Sequence, residues 1–124
     1  MNNLLFERFN KELERLSDFS DIIGVALVKR NGLLISSILP RDIDDRKLGA
    51  LAATMFEAIE TAASSLNVIQ IKNLTVEYQD YQFIIMEIDQ EAILVSLIEL
   101  ETNLGLIFIE IEESIKNIKS IIQR

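Results

Sequence analysis

Residues 44–66 read DDRKLGALAATMFEAIETAASSL, and this stretch constrains how the rest of the chain is arranged. At about 100° per residue on a helical wheel, Leu48, Leu51, Ala52, Met55, Phe56, Ala58, Ile59, Ala62, Ala63 and Leu66 share one side. Their arc is roughly 180° wide, whereas a surface helix needs only ~100° to dock on its own core. Gly49, Ala52, Ala58, Ala62 and Ala63 keep much of that side low, so another backbone can approach closely. The far side, with Ala50, Ala53, Thr54, Glu57, Thr61 and Ser64, is short and lacks the Lys and Arg usual on a solvated face. The stretch predicts a helix with two contacts: its own sheet and something else.

Outward from that helix the pattern alternates cleanly. Asn2–Asp18 predicts an amphipathic helix with Leu5, Phe6, Phe9, Leu13 and Leu16 on one face. Ile22–Lys29 is apolar on both faces until its last residue, which predicts a central strand covered on both sides. Arg30-Asn31-Gly32 then reads as a hairpin turn of type I′, and Leu33–Ile38 as the returning strand, closed by Pro40. Beyond the long helix, Leu74, Val76 and Tyr78 alternate with Thr75, Glu77 and Gln79 as a one-sided strand. Ile69 and Ile71 alternate in the opposite phase, so the register breaks near Lys72-Asn73, by a bulge or by a loop. If Leu74–Gln79 lies at an edge, it has neither Pro nor Lys to protect it and should pair with another chain.

Tyr81–Ile88 and Ala92–Ile98 are two further strands, joined by Asp89-Gln90-Glu91. Leu104–Arg124 has a strand-like opening, but Leu104, Ile107, Phe108, Ile111, Ile115, Ile118 and Ile122 form a 3.6-period stripe. Its acidic residues come early and its basic ones late, which suits a helix dipole, and Thr102 can cap the start. The expected order is α-β-β-α-β-β-β-α, an α+β fold with a five-stranded antiparallel sheet, in one domain over residues 1–124.

Composition narrows the function classes. With 49% hydrophobic and 26% charged residues the chain is not disordered, and a formal charge of −8 sets it against phosphate backbones, so no nucleic-acid partner is expected. No apolar run reaches the ~20 residues of a membrane span, and Met1–Arg15 is polar and amphipathic rather than a signal peptide, so a cytoplasmic location is expected. There is no His and no Cys, which removes the commonest general base and all thiol chemistry. Asp42, Asp44 and Asp45 could be read as a hard-cation cluster, but one loop supplies too few oxygens. Their simpler reading is that Asp42 caps the long helix while Asp44 and Asp45 complement its positive end, with Arg46 a surface cation beside them. No catalytic residue, metal or cofactor is expected, and the protein is read as a non-enzyme.

These features together resemble the Roadblock (dynein light-chain type, MglB-like) family. The resemblance rests on Ile23-Gly24-Val25-Ala26-Leu27-Val28 leading to Asn31-Gly32, the small-residue helix 44–66, three strands, and Asn103-Leu104-Gly105 opening the last helix. It implies the central helix on one sheet face and the terminal helices on the other, a profilin-like arrangement. It also implies a homodimer, or a heterodimer with a paralogue, whose sheets join across a two-fold axis. The pairing strand would be Leu74–Gln79, with Leu74, Val76 and Tyr78, and the pairing helix face would hold Gly49, Ala52, Phe56, Ile59 and Ala63. Members act as adaptors or regulators of Ras-like small GTPases, and the surface left for that partner would include Arg46, Ala50, Ala53, Thr54, Glu57 and Thr61. The alternatives from other classes are a structural subunit of a larger complex and a small-ligand sensor with an apolar pocket near Phe83 and Met86.

Overall fold

A computed structural model of the chain describes residues 3–67 and 70–123. The elements run α1 (Asn3–Ser17), β1 (Ile22–Lys29), β2 (Leu34–Ile38), α2 (Asp45–Ser65), β3 (Leu74–Glu77), β4 (Tyr81–Glu87), β5 (Ala92–Glu99) and α3 (Leu104–Ile122). The strands form one antiparallel sheet in the order β2-β1-β5-β4-β3. Because side chains alternate along a strand, the two faces feed separate cores. Val25, Leu27, Ile84, Met86 and Leu94 pack with Phe9, Leu13 and Leu16 of α1 and Ile107, Ile111, Ile115 and Ile118 of α3. Ala26, Val28, Phe83, Ile85, Ile93, Val95 and Leu97 pack with Ala52, Ala53 and Phe56 of α2. The helices therefore divide as expected, α2 on one face and the terminal pair on the other, and β1 lies inside the sheet between β2 and β5.

Local geometry departs from the sequence reading at several points. The β1–β2 turn is not type I′: among the described residues only Gly32 (φ 94°) and Asn67 (φ 60°) have positive φ, so Asn31 does not. Gly32 N–H donates to the Lys29 carbonyl at 2.9 Å and Lys29 N–H to the Leu33 carbonyl at 2.8 Å. That is the three-residue connection in which a single glycine takes the left-handed position, while the Asn31 side chain accepts from Leu33 N–H at 3.1 Å. Nor does Asp42 cap α2; Asp44 does, its carboxylate accepting from Lys47 N–H at 3.1 Å. Likewise Asn103, not Thr102, caps α3 through Leu106 N–H at 3.2 Å. In both cases the cap sits immediately before the first helical residue, where its oxygen reaches the third helical amide.

Val68 and Ile69 of the opposed-phase segment lie outside the described residues, as do Asn2 and Arg124 at the ends of the expected terminal helices. Gln70–Asn73 forms no strand, so β3 is preceded by a loop rather than interrupted by a bulge. β3 also ends at Glu77, shorter than the expected Leu74–Gln79, because Tyr78 N–H donates to the Tyr81 carbonyl at 2.7 Å and closes the hairpin.

Gly24 marks where the chain leaving β2 crosses close over β1. A Cβ there would lie 2.8 Å from the Ile38 carbonyl oxygen, 2.8 Å from Leu39 Cδ2 and 3.2 Å from Leu39 Cα. Two of these are backbone atoms, so the clash cannot be relieved by a rotamer change. Gly24→Ala is expected to destabilise the fold by about 1–3 kcal/mol. Urea unfolding checks this; a midpoint equal to that of the parent protein would show that the crossing is loose.

Candidate functional site

The described residues bring no catalytic constellation together, and the surface that stands out is α2 with the strand edge beside the same core. Gly49 is buried with its Cα hydrogen side against Val28; a Cβ there would come within 3.3 Å of a Val28 methyl. Ala52 and Phe56 are fully buried and Ala53 is 5% exposed, all against the chain's own sheet. Small residues at 49, 52 and 53 thus serve to seat α2 close to β1. Centred roughly a third of a turn away on the wheel, a second apolar stripe faces outward. Leu51 (52% exposed), Ile59 (39%) and Leu66 (76%) stand on it with exposed Ala58 and Ala62 between them, and half-buried Leu48 and Met55 join it to the core.

The wide apolar arc is therefore divided into a part seated on the chain's own sheet and a part left exposed, and the division cuts across the expected pairing face. Of the five helix residues assigned to it, Gly49, Ala52 and Phe56 are consumed by the chain's own sheet. Ile59 remains exposed and Ala63 half-buried at the boundary. The physical cause is rotation: the sheet takes the side holding Phe56, and this leaves the side holding Leu51, Ala58 and Ala62 open.

The strand residues assigned to pairing lie at the sheet edge. β3 pairs with β4 on one side and has no strand neighbour on the other among the described residues. Leu74 and Val76 turn toward the α2-side core, Thr75 and Glu77 are exposed, and Tyr78 caps the hairpin with its ring 5.3 Å from Tyr81 and 5.4 Å from Phe83. The edge carries neither Pro nor Lys, the usual guards against strand pairing.

Of the residues assigned to a partner surface on α2, Arg46, Ala50, Thr54, Glu57 and Thr61 are exposed, whereas Ala53 is not; it is buried in the α2-side core. Arg46 forms no ion pair with Asp42 or Asp45 among the described residues. The hydroxyls of Thr54 and Thr61 turn back to donate to the carbonyls of Ala50 (2.9 Å) and Glu57 (3.0 Å), and that of Ser65 to Ala62 (3.0 Å). With their polar groups bonded inward, these side chains leave a low face with few groups that need water.

One residue at this site escaped the sequence reading. Arg30, read only as part of a turn, lays its guanidinium over the Phe56 ring at 4.9 Å and pairs with Glu60 of α2 and with Glu87 of β4 at 2.7 Å. It ties the hairpin turn, the second half of α2 and the end of β4 into one unit, in the planar forked geometry that arginine favours. Nothing local signals this, because both carboxylates lie thirty or more positions away.

The remaining sequence candidates are accounted for locally. Asp44 is engaged as the cap, Asp45 accepts from the Ser37 hydroxyl at 2.9 Å, and no group of three acidic side chains converges among the described residues. Phe83 and Met86, expected to flank a sensor pocket, do not face a common space: three positions apart on β4, they point to opposite sheet faces and belong to different cores.

A family model for the Roadblock/LC7 domain matches residues 8–97, from α1 through most of β5. An uncharacterized protein of Methanocaldococcus jannaschii, MJ1340, is 30% identical over 111 residues, covering 90% of this chain and 96% of its own. Among solved structures, Myxococcus xanthus MglB superposes with a TM-score of 0.92 at 25% identity, over 99% of this chain and 93% of MglB. The gliding protein MglB of Thermus thermophilus shares the fold, with a TM-score of 0.87 at 17% identity over 98% of this chain and 93% of its own. The chain belongs to the Roadblock/LC7 domain family.

Proposed function

We propose that this protein is a non-enzymatic, dimeric adaptor that binds a Ras-like small GTPase in the cytoplasm. The observation that carries the proposal is the divided arc of α2. A helix already seated on its own sheet presents a second apolar stripe, Leu51, Ala58, Ile59, Ala62 and Leu66, and the sheet presents an edge strand without Pro or Lys. Both features are most simply covered by a second copy. A two-fold axis would set the two stripes against each other with the helices antiparallel and join the two β3 edges into one sheet. Together these contacts would bury on the order of 2,000 Å² in total, in the range of stable dimers.

Pairing the stripes leaves the low outer faces of both helices side by side as one continuous surface, with Ala50, Thr54, Glu57 and Thr61 from each copy. A surface of short side chains, free of long flexible cations over its central turns, suits the close approach of a folded partner. The Roadblock resemblance implies that this partner is a Ras-like GTPase.

Glu57→Arg combined with Thr61→Arg tests the surface without touching the core, since both side chains are exposed. Retention of a Ras-like GTPase on immobilised protein is expected to fall about tenfold or more, because reversed charge and added bulk oppose docking. The dimer mass by light scattering should be unchanged. Undiminished retention would move the partner surface elsewhere on the molecule.

A further inference from the structure

On the opposite face of the sheet from α2, the ends of α1, α3 and three strands enclose an open cavity of about 510 Å³. Its walls are apolar: Leu5, Phe6 and Phe9 of α1, Ile35 of β2, Ala92 of β5 and Ile122 of α3. Phe9 and Ala92 are buried, so the cavity reaches the core, while Phe6 and Ile122 stand exposed at its rim. The size falls within the roughly 300–1,000 Å³ of small-molecule sites.

Three ionic residues complete the lining: Lys29, Asp89 and Glu91. One Asp89 oxygen accepts from the backbone amides of Glu91 (2.8 Å) and Ala92 (2.9 Å), which fixes the β4–β5 turn, and its other oxygen has no hydrogen-bond partner among the described residues. The Lys29 ammonium and the Glu91 carboxylate are exposed and have no side-chain partner among the described residues. The lining therefore carries two carboxylates against one ammonium, in a chain whose net charge is −8.

We propose that this cavity is a binding site for a small amphiphile with an apolar body and a cationic amine head. The body fills the space between Phe6, Ile35 and Ile122, and the head meets Glu91 and the other Asp89 oxygen. The apolar wall supplies affinity and the excess of carboxylate in the lining sets the sign of the head group. This inference is independent of the GTPase reading, because the cavity lies across the sheet from α2.

Decylamine and decanoate, matched in chain length and both used below their micelle concentrations, test it by amide chemical-shift titration of the full chain at neutral pH. Decylamine is expected to saturate with one molecule per chain, its shifts confined to α1, the β4–β5 turn and the end of α3. Decanoate should bind at least tenfold more weakly. Phe6→Ser with Ile122→Ser, both at exposed positions, should weaken decylamine by at least tenfold while the circular dichroism spectrum is kept. Glu91→Lys should reverse the preference toward decanoate. Absence of saturation by either probe, equal binding of both, shifts centred on α2, or a preference for amine that survives Glu91→Lys would each overturn the proposal.

Discussion

Ala62→Glu is expected to convert the protein from a dimer to a monomer at micromolar concentration, with its fold intact. Ala62 is exposed within the outward stripe of α2, between Leu51, Ala58, Ile59 and Leu66. In a two-fold interface each substitution enters twice, so two carboxylates would be placed near the axis in an apolar contact without counter-charges. An unpaired charge buried in this way costs roughly 3–5 kcal/mol, a rise in the dimer dissociation constant of two orders of magnitude or more. Sedimentation equilibrium of parent and variant reads the effect, with circular dichroism as the check on folding. A parent protein that is already monomeric at micromolar concentration would remove the dimer, and a dimeric Ala62→Glu would move its interface away from this stripe.

The second large effect concerns stability. Phe56→Ala is expected to destabilise the chain itself by about 3–5 kcal/mol, lowering the melting temperature by roughly 10–20 °C. Phe56 is fully buried in the α2-side core and its ring supports the Arg30 guanidinium at 4.9 Å. Removing the ring leaves a cavity and takes away the platform from which Arg30 reaches Glu60 and Glu87. Phe56→Leu, which restores most of the volume but not the aromatic face, should lose about 1–2 kcal/mol. The two substitutions separate the roles of two sides of one helix. Ala62→Glu should alter the concentration dependence of assembly with little change in the stability of the isolated chain. Phe56→Ala should lower stability at every concentration. A Phe56→Ala protein that dissociates without loss of chain stability would return Phe56 to the pairing face.

The contrast between positions 56 and 62 shows where legibility ended. Both residues belong to the arc read from the sequence, and the excess width of that arc correctly announced more apolar surface than one sheet contact uses. Which part would meet the sheet depends on the rotation of α2 about its axis. That rotation is set by packing against Val28 and the rest of the α2-side core, residues remote in sequence whose side-chain directions are fixed only once the sheet exists. Ala53 follows the same logic: small and flanked by Ala50 and Thr54, it looks like part of the outer face, yet the seated helix turns it into the core. The caps were misplaced for a narrower reason. Asp42, Asp44 and Asp45 are chemically equivalent as caps, and only the residue directly before the first helical turn has the geometry to bond the third amide.

By itself the sequence determined the element order, the central position of β1, the helical nature of the last segment and the excess width of the apolar arc of α2. Each follows from a period of 2 or 3.6 in side-chain direction, or from total apolar width, and such patterns are carried by one continuous stretch of chain. The tertiary structure alone decided which flank of α2 stays open, that Arg30 clamps α2 to the hairpin and β4, and that a largely apolar cavity forms across the sheet. Those features join residues separated by tens of positions, from Arg30 to Glu87 or from Phe6 to Ile122. Their meeting depends on strand register and helix seating, which no single stretch of the chain encodes.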